Sequence, residues 1–138
     1  MKQIILILIA VVLVALPAFA QTPDCASPVT LSGQLTGGSI QAQSLIGQRY
    51  TQVTITPTGA NDPVTIKASN FGYFSFTNVT PCVEYRLTPS LTEKGTATLG
   101  IFDVPRWTPL NRVVYVDGGG DINGLDFELN IYTLEDVL

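Results

Sequence analysis

In run after run between Val29 and Leu129 apolar residues alternate with polar ones, and no window of ten residues carries a convincing apolar stripe at the 3.6-residue period of a helix. A chain patterned this way sends alternate side chains to opposite faces of strands and buries one face, so an all-β fold with at most a turn or two of helix is expected. Val29 to Leu35 sets Val29, Leu31 and Leu35 on one side. Tyr50 to Thr56 turns Val53 and Ile55 inward, and Val64 to Ala68 repeats the pattern. Tyr73 to Phe76 offers Phe74 and Phe76 to the core, with Val79 following, and Val83 to Leu87 offers Val83, Tyr85 and Leu87 while Glu84 and Arg86 face water. A short strand is expected near Thr98 to Phe102, then Arg112 to Val116, then Leu125 to Leu129 with Leu125, Phe127 and Leu129 inward. Gly37-Gly38, the Pro57 to Pro63 segment and Ser69-Asn70-Phe71-Gly72 punctuate these runs. Seven or eight short strands in a chain of 138 residues describe a single β-sandwich.

The first twenty residues read differently. Lys2 gives a positive start, Ile4 to Leu16 is an apolar run of thirteen residues, and Pro17-Ala18-Phe19-Ala20 ends in the small-x-small pattern of a signal-peptidase site. Thirteen helical residues reach roughly 20 Å, short of the roughly 30 Å hydrocarbon core. A signal peptide over 1–20, cleaved before Gln21, is therefore expected, with no membrane span after cleavage and a secreted location, extracellular or periplasmic. Cys25 lies five positions beyond Ala20, too far for a lipoprotein anchor. In an exported chain Cys25 and Cys82 most simply form one disulfide. Two buried thiols or a cross-link between subunits are the alternatives. The resulting organisation is an N-terminal segment over 21–28, a sandwich over 29–130 and a tail over 131–138.

The chain contains no histidine, which removes Ser-His-Asp and Cys-His catalysis and His-ligated zinc. Seven Lys and Arg against eleven Asp and Glu leave a net charge of −4, opposed to nucleic-acid binding. No enzyme activity, cofactor or metal is expected.

Asn70-Phe-Gly-Tyr-Phe-Ser-Phe-Thr-Asn-Val79, Tyr85-Arg-Leu-Thr88, Trp107-Thr-Pro-Leu-Asn-Arg-Val-Val-Tyr-Val116 and Gly124-Leu-Asp-Phe127 together resemble the carboxypeptidase regulatory-like modules of secreted bacterial proteins. Val29 to Leu35 fits that family's opening strand, so the resemblance spans about residues 29 to 129. It implies a transthyretin-like Greek-key sandwich and an accessory, non-catalytic role. Two stretches depart from the family: Thr36 to Arg49 lacks its Gly-x-Pro-x-x-Gly turn, and Ser90 to Arg106 is longer than its counterpart. Either insertion is a place for an activity particular to this chain.

Binding candidates follow from residue type. Trp107 and Phe102, with Ile101, are candidates for stacking on sugar rings, although the resemblance makes Trp107 a core filler. Tyr73 and Tyr115 fall on the outward phase of their strands and suit partner contacts. Asp117, Asp121, Asn123 and Asp126 supply oxygen ligands at a spacing that matches neither the EF-hand loop nor the glycine-rich repeat of calcium-binding β-helices, and a hairpin turn is the preferred reading. Neither Lys67, outward by alternation, nor Lys94, in a loop, suits a buried Lys-Asn amide cross-link. The expected function is a module that binds a surface polysaccharide or another envelope protein. The alternative is a structural subunit that self-associates by strand addition through Ile131, Tyr132, Leu134 and Val137 of the tail.

Overall fold

A computed structural model of the chain describes residues 25–134. The expected signal peptide over 1–20 and the tail residue Val137 lie outside the described residues. In chain order the elements are β1 (Val29–Gly37), α1 (Ile40–Gly47), β2 (Thr51–Pro57), β3 (Val64–Lys67), β4 (Tyr73–Val79), β5 (Val83–Leu91), α2 (Glu93–Ala97), β6 (Asp103–Thr108), β7 (Arg112–Val116) and β8 (Phe127–Thr133). The strands form two four-stranded sheets, ordered β4-β1-β8-β6 and β3-β2-β5-β7. Among these strand pairs β1 with β8 is parallel and the others are antiparallel.

Period-two patterning accounts for the core between the sheets. Leu31, Leu35, Val53, Leu87, Val116 and Phe127 are almost fully buried, joined by Phe74, Phe76 and Tyr85. Each such aliphatic or aromatic side chain contributes about 1.5 to 3 kcal/mol when removed from water. Tyr85 carries a hydroxyl into this setting, and the hydroxyl donates to the Thr80 carbonyl at 2.8 Å, so no polar group is stranded there.

Two positions need glycine. Gly72 adopts φ +83° in the turn from β3 to β4, and a Cβ there would also strike the Leu35 carbonyl. At Gly33 the backbone of Leu125 passes so close to β1 that no side chain fits. That passage belongs to residues 117–126, expected to be a hairpin and found to be a crossover from β7 in one sheet to β8 in the other. It lies beside β1 and satisfies its amides: Thr30 donates to Asp121 Oδ1 at 2.8 Å, Ser32 to the Ile122 carbonyl at 2.9 Å, and Gln34 to Asp126 Oδ1 at 2.8 Å. These two aspartates thus complete the β1 ladder.

Three expectations are corrected. Thr98 to Phe102 is not a strand: α2 ends at Ala97 with Thr98 as its C-cap, and β6 starts at Asp103 after a turn in which Asp103 Oδ2 accepts the Gly100 amide. The last strand runs to Thr133, because Ile131 continues the inward phase of Leu125, Phe127 and Leu129. The sandwich therefore extends past residue 130, and Ile131 and Tyr132 of the expected tail pair with Pro105 and Val104 of β6.

Both departures from the family pattern contain the helices. Ser39 caps α1 by accepting the Ala42 amide at 3.3 Å, and Ala42, Leu45 and Ile46 at i, i+3 and i+4 face inward. With Leu129 two of these form a second core cluster, against which Tyr50, Leu91, Leu99 and Ile131 pack. Trp107 touches both clusters. The helix ends in a Schellman arrangement, with Tyr50 N–H bonded to Leu45 and Arg49 N–H to Ile46. Arg49 holds the left-handed position at φ +61°, which costs a residue with a Cβ about 1 kcal/mol relative to glycine.

Candidate functional site

Four strand edges remain after the two sheets are assembled: β4 and β6 on one, β3 and β7 on the other. An edge is a row of unpaired backbone donors and acceptors that accepts another strand unless something blunts it. β3 is four residues long, follows Pro63 and ends in Lys67. β4 is interrupted by a register shift against β1 and by Asn78 at φ +58°. β6 carries Pro105, which has no N–H to offer.

β7 has no such device. Its sequence Arg-Val-Val-Tyr-Val contains only β-branched and aromatic residues after Arg112, the types that favour strands. Val114 packs against the core and Val116 is buried in it. On the outer face Val113 is 52% and Tyr115 56% exposed. β5 pairs with one side of β7, and among the described residues no strand pairs with the other. Arg112 is held in place: its Nε donates to the Asp126 carbonyl at 2.9 Å and its guanidinium lies 5.5 Å from the Phe127 ring centre. At the opposite end of β7 the Cys82 amide donates to the Val116 carbonyl. Cys82 is joined to Cys25 by a disulfide with a Cα separation of 5.4 Å, so the N-terminal segment is tied beside this end of the strand.

A second surface lies at the far end of the same sheet. A cleft of about 540 Å³ opens between the end of α1 and the start of α2 and is lined by Arg49, Lys67, Lys94, Gln48, Gln52 and Tyr50, among others. Its floor is fixed by the Thr92 amide bonded to the Tyr50 carbonyl at 2.9 Å and by the β2 and β5 register of Gln52 opposite Ser90. Gln52 Nε2 donates to Ser90 Oγ at 3.2 Å. Neither the local alternation nor any motif marks this cleft, because its cations come from positions far apart in the chain.

The four aromatic candidates do not share a surface. Trp107 is half-buried between the core clusters, whereas Phe102 is exposed just before the other end of β6, roughly 16 Å away at strand spacing. Tyr73 is exposed on β4 of one sheet and Tyr115 on β7 of the other. In the expected assembly strand, Ile131 packs on the second cluster and Tyr132 lies 5.7 Å from the Arg106 guanidinium, while Leu134 is exposed. Lys67 and Lys94 are both exposed. Asp103 Oδ2 accepts the Gly100 amide at 2.6 Å and the Gln41 side-chain amide at 3.1 Å, and these two donors hold its carboxyl below the usual carboxylate range. Among the described residues no group of three His, Cys, Asp or Glu is placed to hold a metal, and no helix is long and apolar enough to cross a membrane.

No protein-family model matches the sequence, and no curated protein matches it. The resemblance to carboxypeptidase regulatory-like modules is therefore supported by neither comparison. Among solved structures, the chain is similar to a bacterial adhesin from Mobiluncus mulieris containing intramolecular disulfide, isopeptide and ester bond cross-links, at TM-score 0.46 and 8% identity over 78% of this chain and 41% of that one. It is also similar to a pilus-presented adhesin, Cpa, at TM-score 0.41 and 10% identity over 77% of this chain and 28% of that one. The chain thus spans less than half the length of either.

Proposed function

We propose that this chain is a non-catalytic, exported β-sandwich that acts by protein contact, as a subunit joined to a second copy through the free edge of β7. The observation that carries this reading is the contrast among the edges: β7 alone lacks a proline, a bulge or a closing lysine and exposes Val113 and Tyr115. Pairing β7 antiparallel with itself about Val114 sets Val113 of one copy opposite Tyr115 of the other. Such β-branched and aromatic cross-strand pairs contribute about 0.2 to 1 kcal/mol each. The arrangement is a closed two-fold contact that merges two four-stranded sheets into one. Strand addition is the alternative that the sequence offered beside a binding module, moved here from the tail, whose first residues are already paired in β8, to an edge that is free.

Oxidised protein, residues 21 to 138, measured by size exclusion with light scattering over a range of concentrations, is expected to pass from monomer to dimer. Val113→Lys with Tyr115→Lys places like charges across the seam and is expected to weaken dimerisation about a hundredfold. Both positions are exposed, so the thermal midpoint should hardly move. A monomer at every concentration, or a dimer indifferent to the double substitution, overturns the reading.

A further inference from the structure

We infer that the cleft between α1 and α2 binds an acidic polysaccharide, one with carboxylates on its sugar rings. Residues 25–134 contain six Lys and Arg, and three of them, Arg49, Lys67 and Lys94, line this one concavity. Of the eight carboxylates in the same span only Glu93 lies there, and none of the three cations makes an ion pair among the described residues. In a protein of net charge −4 this local excess of positive charge is a focused field in a cleft.

The backbone at Arg49 is a separate observation pointing the same way. The left-handed position that closes a helix is normally glycine's, yet here it presents a guanidinium at the rim of the cleft. A conformation held against its intrinsic preference is a mark of functional sites.

The lining selects among anions. The three cations stand on three elements, after α1, at the end of β3 and in α2, so they suit charge repeated along a polymer more than one compact phosphate. Between them are the amides of Gln48 and Gln52 and the ring of Tyr50. Gln52 spends its N–H on Ser90 and the Leu91 carbonyl, which leaves its oxygen to accept a sugar hydroxyl. No aliphatic side chain lines the cleft, whereas an acidic peptide would bring apolar side chains in need of a pocket. The volume of about 540 Å³ falls within the range of about 300 to 1,000 Å³ typical of small-ligand sites. The cleft lies at the opposite edge of its sheet from β7, so both copies in a dimer could bind one chain with avidity.

The test is a calorimetric titration of the oxidised protein with a short oligogalacturonide, a neutral cello-oligosaccharide and poly-glutamate. The oligogalacturonide is expected to bind, more weakly as salt rises, and the neutral sugar not to bind. Arg49→Gly combined with Lys67→Gln and Lys94→Gln is expected to weaken binding about tenfold or more. Arg49→Gly relieves the left-handed strain, so an unchanged or raised thermal midpoint separates lost binding from lost fold. The Val113→Lys, Tyr115→Lys monomer should retain the site, which makes this proposal independent of the dimer. Absence of oligogalacturonide binding, binding indifferent to the triple substitution, or poly-glutamate binding as tightly overturns the inference.

Discussion

β6 and β7 follow one another in the chain, one at the edge of each sheet, yet they treat an approaching strand in opposite ways. β6 holds Pro105 among its six residues and covers its outer face with Arg106 stacked near Tyr132. β7 has five residues with a full complement of N–H groups and two apolar side chains facing out. The two strands are of similar length and both lie at a sheet edge, so what separates them is one imino acid and one uncovered pair of side chains.

The largest expected effect comes from the covalent tie at the end of β7. Removing the disulfide with Cys25→Ser and Cys82→Ser opens a loop of 57 residues, worth about 4 kcal/mol in the chain-entropy description. Urea unfolding should show that loss. Because the Cys82 amide bonds to Val116, amide exchange should quicken more in β7 than in β6. Next in size is Pro105→Val, which makes the two edges alike: a restored N–H adds about 1 kcal/mol of ladder pairing. Light scattering should then reveal species larger than the dimer, since a second open edge lets the contact propagate.

The smallest effect concerns the start of β6, pinned to α1 through Asp103 and Gln41. The carboxyl of Asp103 is held below the usual carboxylate range, first by the Gly100 amide and then by Gln41. Its contribution is therefore present above the ordinary carboxylate pKa and is lost as pH falls through the lowered one. The group is exposed, so the loss is slight. Urea midpoints followed from neutral to acid pH should fall marginally less for Asp103→Asn than for the parent.

The sandwich core was legible in the sequence because burial on one face writes a period of two. Leu31, Leu35, Val53, Phe74, Phe76, Leu87 and Phe127 are all buried as that period requires. The same signal extended through Ile131, and the end of β8 was misplaced because the family pattern stops at Leu129. β6 was misplaced because Pro105 and Arg106 obscure its alternation and Trp107 is the main inward residue left to announce it. Ser39 with Ala42, Leu45 and Ile46 is a capped helical pattern, but eight residues are too few to stand out from a β background. The cleft could not be read at all, since Arg49, Lys67 and Lys94 meet only through the pairing of β2 with β3 and β5.

The central claim is that β7 is an edge in use, and amide hydrogen exchange at low and high protein concentration tests it most directly. The account predicts that amides of Arg112 to Val116 slow as concentration rises, while those of Asp103 to Thr108 do not. Exchange in β7 that is independent of concentration, or equal slowing in both strands, would contradict it.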